Sequence, residues 1–188
     1  DYTQVVIFVR RKSGITHPKL TEVLTDFDKP ESVLPFISGD VLFSCLGTTL
    51  KIAGTKDKQW HIDYEIPLQF ATMAKAKGVR GMVLLSAYGA SVSSNVFYSK
   101  LKGKLEAGTE ALAFEQLIIF RPGLLLRKDT DRAGERISAA VLKFFNNLGL
   151  MRKFKPLPVA VLAEKLAKAP KSLTAGKHTI ALDKIFAF

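Results

Sequence analysis

A chain of 188 residues, 47% apolar and 24% charged, is long enough for one hydrophobic core and too short for two comfortable domains. That ordinary composition excludes wholesale disorder, and apolar runs such as Leu117–Phe120 and Leu124–Leu126 fall far short of the ~20 residues of a membrane-spanning helix. The net charge of +11 draws polyanions, but its lysines and arginines are scattered and no basic stretch interleaves with stacking aromatics, so no specific nucleic-acid partner is expected.

The first segment, Val5–Val9, is a continuous run of β-branched and aromatic residues, as expected of a strand buried on both faces. It ends in Arg10, Arg11 and Lys12. A shorter strand at Val23–Leu24 leads to Thr25, Asp26 and Phe27, and a third buried strand, Val41–Leu46, closes on Gly47, Thr48 and Thr49. Trp60, Tyr64, Leu68, Ala71 and Ala74 then recur at helical spacing, with Gly78 as a stop signal and Pro67 bending the helix or beginning its second part. Met82–Ser86 is a fourth strand. Phe97, Leu101, Leu105 and Leu112 mark the next helix, with Ser94 or Asn95 placed to cap it. Leu117–Phe120 is a fifth strand, closing on Arg121, Pro122 and Gly123.

After Gly123 the pattern loosens. Ile137, Val141, Phe144, Phe145 and Leu148 mark one further helix, stopped by Gly149; Pro156 and Pro158 precede a helix over Val159–Ala169; and His178–Leu182 forms a last short strand. Strands alternating with crossovers long enough for parallel connections imply an α/β, doubly wound parallel sheet. A single cysteine, Cys45, excludes an internal disulfide framework and fits a reducing compartment. With no leader-like opening, the chain reads as soluble and cytoplasmic.

Tyr98 and Lys102 stand four residues apart on a helix, which places them on one face about 6 Å apart along the axis. A tyrosine with a pKa of about 10 is a poor base at neutral pH. A neighbouring ammonium favours its phenolate, which would let the phenol exchange a proton with a carbonyl or alcohol oxygen. Ser86 ends a buried strand, and ligands in open α/β sheets bind at the carboxyl ends of strands; a serine there can hydrogen-bond a substrate oxygen or simply bond its own turn. His17, His61 and His178 show no paired metal-ligand spacing with Cys45, so no metal is expected. No Gly-x-Ser-x-Gly element supports a hydrolase.

The motifs Phe8-Val9-Arg10-Arg11, Cys45-Leu46-Gly47-Thr48-Thr49, Leu84-Leu85-Ser86-Ala87-Tyr88-Gly89-Ala90, Tyr98-x-x-x-Lys102-Gly103 and Phe120-Arg121-Pro122-Gly123 occur in this order. Together they resemble the oxidoreductase relatives of the Tat-interacting protein, an atypical branch of the short-chain dehydrogenase/reductases with an NAD(P)-binding Rossmann-type sheet. The resemblance covers nearly the whole chain and is weakest after about Leu150. It implies that Arg10 and Arg11 meet the 2′-phosphate of NADP, so that NADPH is preferred over NADH. Asp26 and Phe27 would border the adenine, and Cys45, Leu46, Gly47 and Thr48 the adenine and its ribose. Tyr98 and Lys102 would be the catalytic pair, the lysine also holding the nicotinamide ribose. Pro122, Gly123 and Leu124 would form the turn against the nicotinamide.

Two departures stand out. Such proteins often carry two consecutive serines where this chain has Ser86 and Ala87, so Ser93 or Ser94 would have to substitute for the second. The family also begins with a strand and a Gly-x-x-Gly-x-x-Gly loop, and neither occurs here. In the family's strand order that first strand lies between Val5–Val9 and Val41–Leu46; a preceding segment of roughly 20–30 residues is expected to supply it, the alternative being that another chain or a rearranged sheet fills the gap.

The expected whole is one NAD(P)-binding domain over residues 1–188, with a small substrate-side extension at about 124–188. Its expected activity is an NADP-dependent oxidoreductase of short-chain type acting on a small carbonyl or alcohol, with Ser86, Tyr98 and Lys102 catalytic and a homodimer admitted. The alternative is an NADPH-binding regulatory protein, weak in catalysis, that works through a protein partner. A sugar-nucleotide epimerase would need a larger C-terminal lobe.

Overall fold

The computed structural model describes residues 2–126 and 155–188. The helix expected over Ile137–Leu148 lies outside them. The strands are β1 (Val5–Val9), β2 (Leu20–Leu24), β3 (Val41–Ser44), β4 (Gly81–Leu85), β5 (Gln116–Arg121), β6 (Leu125–Leu126), β7 (Leu157–Pro158) and β8 (Gly176–Ala181). The α-helices are α1 (Leu50–Ala53), α2 (Lys56–Trp60), α3 (Ile66–Ala76), α4 (Phe97–Ala111), α5 (Val159–Ser172) and α6 (Lys184–Ala187), with a 3-10 turn at Pro30–Phe36. No helix among the described residues is long and apolar enough to cross a membrane.

Every strand pairing is parallel, and the main sheet runs β3-β4-β5-β8. The apolar runs of β4 and β5 divide by alternation, as the two-residue period of a strand requires. Met82, Leu84, Leu117 and Ile119 turn to one face, where Ala71 and Ala74 of α3 and Leu105 of α4 cover them. Val83, Ile118 and Phe120 turn to the other face, against Leu162, Leu166 and Ala169 of α5. A sheet covered on both faces is the doubly wound arrangement that uninterrupted apolar strands demand. A third cluster joins Val23 of β2 to Ile66 and Phe70 of α3, with Val6, Phe8, Phe27 and Leu46 packed on it.

The sheet is broken at one place. Among the described residues β1 and β2 pair only with each other. The free edges of β1 and β3 have no strand partner among the described residues. Both strands are correspondingly half-buried, whereas β4 and β5 are almost wholly enclosed. The shared cluster around Phe70 keeps the two parts together.

Pro67 leaves a mark on the helix before it. Proline has no N–H and its ring crowds the carbonyl four residues earlier, which here belongs to Asp63. The chain widens into a π turn over His61–Glu65, in which the Ile66 amide donates to the carbonyl of His61, and α3 restarts with the proline in its first turn. Helix α4 begins without the expected side-chain cap: Val96 occupies the cap position, and the Ser94 hydroxyl instead accepts from the Val96 amide at 3.1 Å.

Gly103 brings α4 against the loop that leaves β4. A Cβ there would lie 2.3 Å from the carbonyl carbon of Ser91 and 2.5 Å from the amide nitrogen of Val92. These are backbone atoms, and the Ser91 amide is already bonded to the carbonyl of Ser99 at 3.0 Å, so neither side can yield cheaply. Gly103→Ala is expected to cost about 3 kcal/mol of folding stability through overpacking. Urea unfolding monitored by circular dichroism measures it.

Candidate functional site

Parallel pairing gathers the strand ends on one rim, and most of the residues singled out above stand there. Ser86 follows β4 and is buried, its amide donating to the carbonyl of Phe120 at 2.8 Å. The Tyr88 amide donates to the carbonyl of Pro122 at 2.9 Å, which ties the β4 loop to the β5 turn. Pro122 is buried, Leu124 half-buried and Gly123 exposed. Tyr98, in the first turn of α4, is 40% exposed, and Lys102, one turn on, is only 3% exposed. The Lys102 ammonium lies 6.0 Å from the centroid of the Tyr98 ring.

Lys102 reaches across to the end of β3. A Cβ on Gly47 would stand 3.8 Å from Lys102 Nζ and equally 3.8 Å from both carboxylate oxygens of Asp63. Asp63 was not singled out from the sequence. It is fully buried, and its Oδ1 accepts from the Thr48 amide at 2.6 Å. A signal was present: Gln59, Asp63, Ile66 and Phe70 fall at helical spacing and all are buried, so two polar residues lie on a stripe that otherwise feeds the core. The Trp60–Tyr64 stripe beside it masked this.

Two buried side-chain polar atoms lack any hydrogen-bond partner among the described residues, Asp63 Oδ2 and Ser86 Oγ. Buried polar groups are ordinarily paired, and orphans ask for an explanation. Both orphans belong to this rim.

The electrostatics follow from burial. Desolvation pushes the Lys102 ammonium below the usual lysine range, while Asp63, Cys45 and Glu106 push it back up. Desolvation likewise raises the Asp63 carboxyl, opposed by Lys102, the Thr48 amide and Gln59. Burial also raises the Tyr98 phenol, and the charge of Asp63 adds to it. The expected depression of the phenol by Lys102 is not what this geometry produces: burial and the Asp63 charge both push the Tyr98 phenol up. Glu106 is gripped by Arg121 through two hydrogen bonds, one of 2.9 Å from Nε to Oε1 and a second from Nη2 to Oε2, which pins α4 to the end of β5.

The remaining expected residues divide. Leu46 packs into the cluster around Phe70, and Thr48 is placed by its bond to Asp63. Arg10 and Arg11 are exposed beyond β1. Asp26 is exposed and its Oδ1 accepts from the Asp28 amide at 3.1 Å. Phe27 is half-buried with its ring 5.6 Å from that of Phe70. These four stand at the rim of the β1–β2 pair, not beside Lys102. Ser93 and Ser94 are spent locally: the Ser93 hydroxyl meets that of Ser91 at 3.0 Å, and Ser94 holds the turn before α4.

Cys45, placed by the sequence within a buried strand reaching Leu46, instead lies beyond β3, which ends at Ser44, and is solvent-accessible. Its surroundings still raise the thiol above its usual range through desolvation, with Lys102 opposing.

No family model matches the chain. It is 37% identical over 136 residues to the mitochondrial protein fmp52 of Emericella nidulans, covering 71% of this chain and 57% of that one. Against mitochondrial FMP52 of Eremothecium gossypii it is 36% identical over 160 residues, 84% of this chain and 70% of the relative. Against HTATIP2 of Rattus norvegicus it is 37% identical over 152 residues, 78% and 61% of the two chains. The chain belongs to the FMP52–HTATIP2 family. The motifs read from the sequence resemble those of the atypical short-chain dehydrogenase/reductases. The matches span between 57% and 70% of these three relatives' lengths. Among solved structures, MoeE5 in complex with UDP-glucuronic acid and NAD matches with a TM-score of 0.70 at 14% identity, over 95% of this chain and 68% of that one. A short-chain dehydrogenase/reductase superfamily protein from Agrobacterium tumefaciens with bound NAD matches with a TM-score of 0.69 at 15% identity, over 94% and 69%. These two likenesses show a Rossmann-type fold.

One expectation is overturned. The FMP52 relatives are named mitochondrial proteins, against the cytoplasmic placement read from a lone cysteine and an opening without a leader. A single free thiol distinguishes a reducing from an oxidising setting and nothing finer.

The raised Cys45 thiol has a chemical signature, since only the thiolate attacks. Alkylation of Cys45 by iodoacetamide is expected to be slow at pH 7 and to climb about tenfold per pH unit until the pH passes the raised pKa, above the ordinary ~8.5 of a free thiol. Mass spectrometry of timed aliquots follows it, and a rate already maximal at pH 7 would refute the raised value.

Proposed function

We propose that the chain forms the greater part of an NADP-dependent oxidoreductase that interconverts a small carbonyl compound and its alcohol. The observation that carries this reading is the pair of orphaned buried atoms, Ser86 Oγ and Asp63 Oδ2, at the same strand-end rim as Tyr98 and Lys102. An unfilled hydroxyl and a partly exposed phenol on one rim suit a substrate oxygen that accepts from both. The Lys102 ammonium, close to Gly47 at the end of β3, suits a bound sugar. When bound, the nicotinamide cofactor supplies the hydride.

The chain's own residues do the rest. Ser86 Oγ orients the substrate oxygen. Tyr98, held as a neutral phenol, donates its proton to that oxygen during carbonyl reduction. Lys102 secures the sugar beside it and offsets the charge left on the phenol. Arg121, clamped to Glu106, fixes the angle of α4 and with it the aim of both Tyr98 and Lys102. Arg10 and Arg11, exposed beyond β1, match a 2′-phosphate by charge and by their fork of donors. Asp26 and Phe27 would border the adenine, Cys45, Leu46 and Thr48 its ribose, and Pro122, Gly123 and Leu124 the nicotinamide. Substrate choice is assigned to residues 124–158 within a single domain, and the named relatives favour a mitochondrial setting.

A second reading has its own observation. Ala87 stands where a second serine is common, and Ser93 and Ser94 are engaged in local turns, so neither replaces it. An NADPH-binding protein that signals through a protein partner, with little turnover, fits that deficit. Slow NADPH oxidation across a panel of carbonyls separates the two, since a sensor binds and does not turn over.

Tyr98→Phe is expected to lower kcat at least about a thousandfold while leaving NADPH affinity within about threefold, as loss of a general acid requires. Because the acid form is the active one and burial raises its pKa, wild-type reduction is expected to hold level through neutral pH and to decline only above about pH 10. Equal loss of binding and turnover in the phenylalanine variant would remove Tyr98 from the chemistry. Separately, Arg10→Ala with Arg11→Ala is expected to weaken NADPH about 30-fold and NADH less than about threefold, by the loss of charge-assisted bonds; cofactor fluorescence titration reads both.

A further inference from the structure

Between Arg80 and Lys100 the chain carries no charged side chain, the longest such run in a protein of net charge +11. Its second half includes the loop of residues 87–96, which leads from Ser86 to α4, so both of its ends stand at the rim. The loop spends its serines on itself. The Ser91 hydroxyl meets that of Ser93 at 3.0 Å and accepts from the Ser93 amide at 3.3 Å, while the Ser94 hydroxyl accepts from the Val96 amide at 3.1 Å. Tyr88, Val92 and Val96 are instead 51%, 53% and 63% exposed, and Asn95, also exposed, is neutral. A single exposed apolar side chain is ordinary, but three on one short loop at the mouth of a site are informative.

The surroundings keep this wall uncharged. The Ser91 amide donates to the Ser99 carbonyl at 3.0 Å, which folds the loop onto α4. The Tyr88 amide, bonded to the Pro122 carbonyl, sets the β5 turn beside it, where Pro122, Gly123 and Leu124 are neutral as well. Of the cations at the rim, Lys102 is buried and Arg121 is clamped by Glu106. Lys100 follows Tyr98 by two residues, which puts it on the opposite side of α4. A carboxylate or phosphate brought against the loop would lose water and find no cation to replace it. An apolar body would gain by covering Val92 and Val96. We propose that the substrate side of the rim, walled by Tyr88, Val92 and Val96, takes a neutral ketone or aldehyde with an apolar body and disfavours carbonyl compounds bearing a carboxylate or phosphate. This rests on the oxidoreductase reading above and adds the substrate class to it. In the reduction the carbonyl carbon takes a hydride from NADPH and its oxygen takes the Tyr98 proton, leaving the alcohol and NADP+.

Matched ligands test this by affinity. The probes are methyl 7-oxooctanoate and 7-oxooctanoate, which differ by one charge far from the ketone. Each is titrated calorimetrically into the full chain with excess NADP+, where no reduction can run. The ester is expected to bind at least about tenfold more tightly than the anion, the scale of a charge left without a partner. Methyl 5-oxohexanoate, two methylenes shorter, is expected to bind about tenfold more weakly than the longer ester. Val92→Lys and Val96→Lys, at exposed positions outside the core, are each expected to narrow the ester-to-anion ratio at least about threefold by strengthening the anion. An anion that binds as well as the ester, a ratio unmoved by either lysine, or a chain that binds neither ligand overturns the proposal. An ester bound with the expected preference but never reduced with NADPH leaves the apolar site standing and removes the oxidoreductase reading instead.

Discussion

In a parallel sheet every strand ends on the same side, and this chain spends its most strongly apolar residues on making that true. β4 and β5 can be parallel only because long crossovers return outside the sheet, and those crossovers are stable only if both faces are covered. Covering both faces draws α3, α4 and α5 inward. The contact of Gly103 with the backbone at Ser91 and Val92 fixes how close α4 comes, and so decides that Lys102 reaches the end of β3 instead of stopping at its own loop. The rim chemistry is a result of packing far below it.

Placing an ammonium and a carboxylate in that interior is expensive. Each loses water, and without a direct bond between them neither recovers the cost from the other. Neighbouring fixed groups soften the penalty: the Thr48 amide on Asp63, and the field of Glu106 and Asp63 on Lys102. A site kept short of full satisfaction is poised toward an incoming partner, because whatever completes the bonding is held by groups that already stand in place. Preorganisation of this kind is usual where a protein positions a reactive molecule.

Strands β4 and β5 were legible because burial on both faces leaves an unbroken apolar run; β1 shows the same run yet is only half-buried. Pro67 was legible as a break for the equally local reason that it lacks a donor. The end of β3 was not legible: Cys45 and Leu46 are apolar, and pattern alone carries the strand through them, whereas the chain leaves the sheet at Ser44. The helix cap at Ser94 or Asn95 failed for a similar reason, since the backbone turn around Ser94 uses the hydroxyl before the helix begins. Asp63 escaped because its meaning is tertiary; only when Gly47 and Lys102 arrive from distant parts of the chain does a buried acid become a feature. Placement in the cell has no such physical trace, since compartment addresses are read by receptors and not by a core.

Pro67 touches none of the groups at the rim, yet it governs one of them. The carbonyl its ring crowds is that of Asp63, and the widened turn is how the backbone absorbs the intrusion. A regular helix is stiff because each turn is locked to the next; here the lock is loosened at the residue whose side chain stands close to Gly47. The widened turn thereby helps set where the acid stands, while the helix that follows keeps its grip on the core.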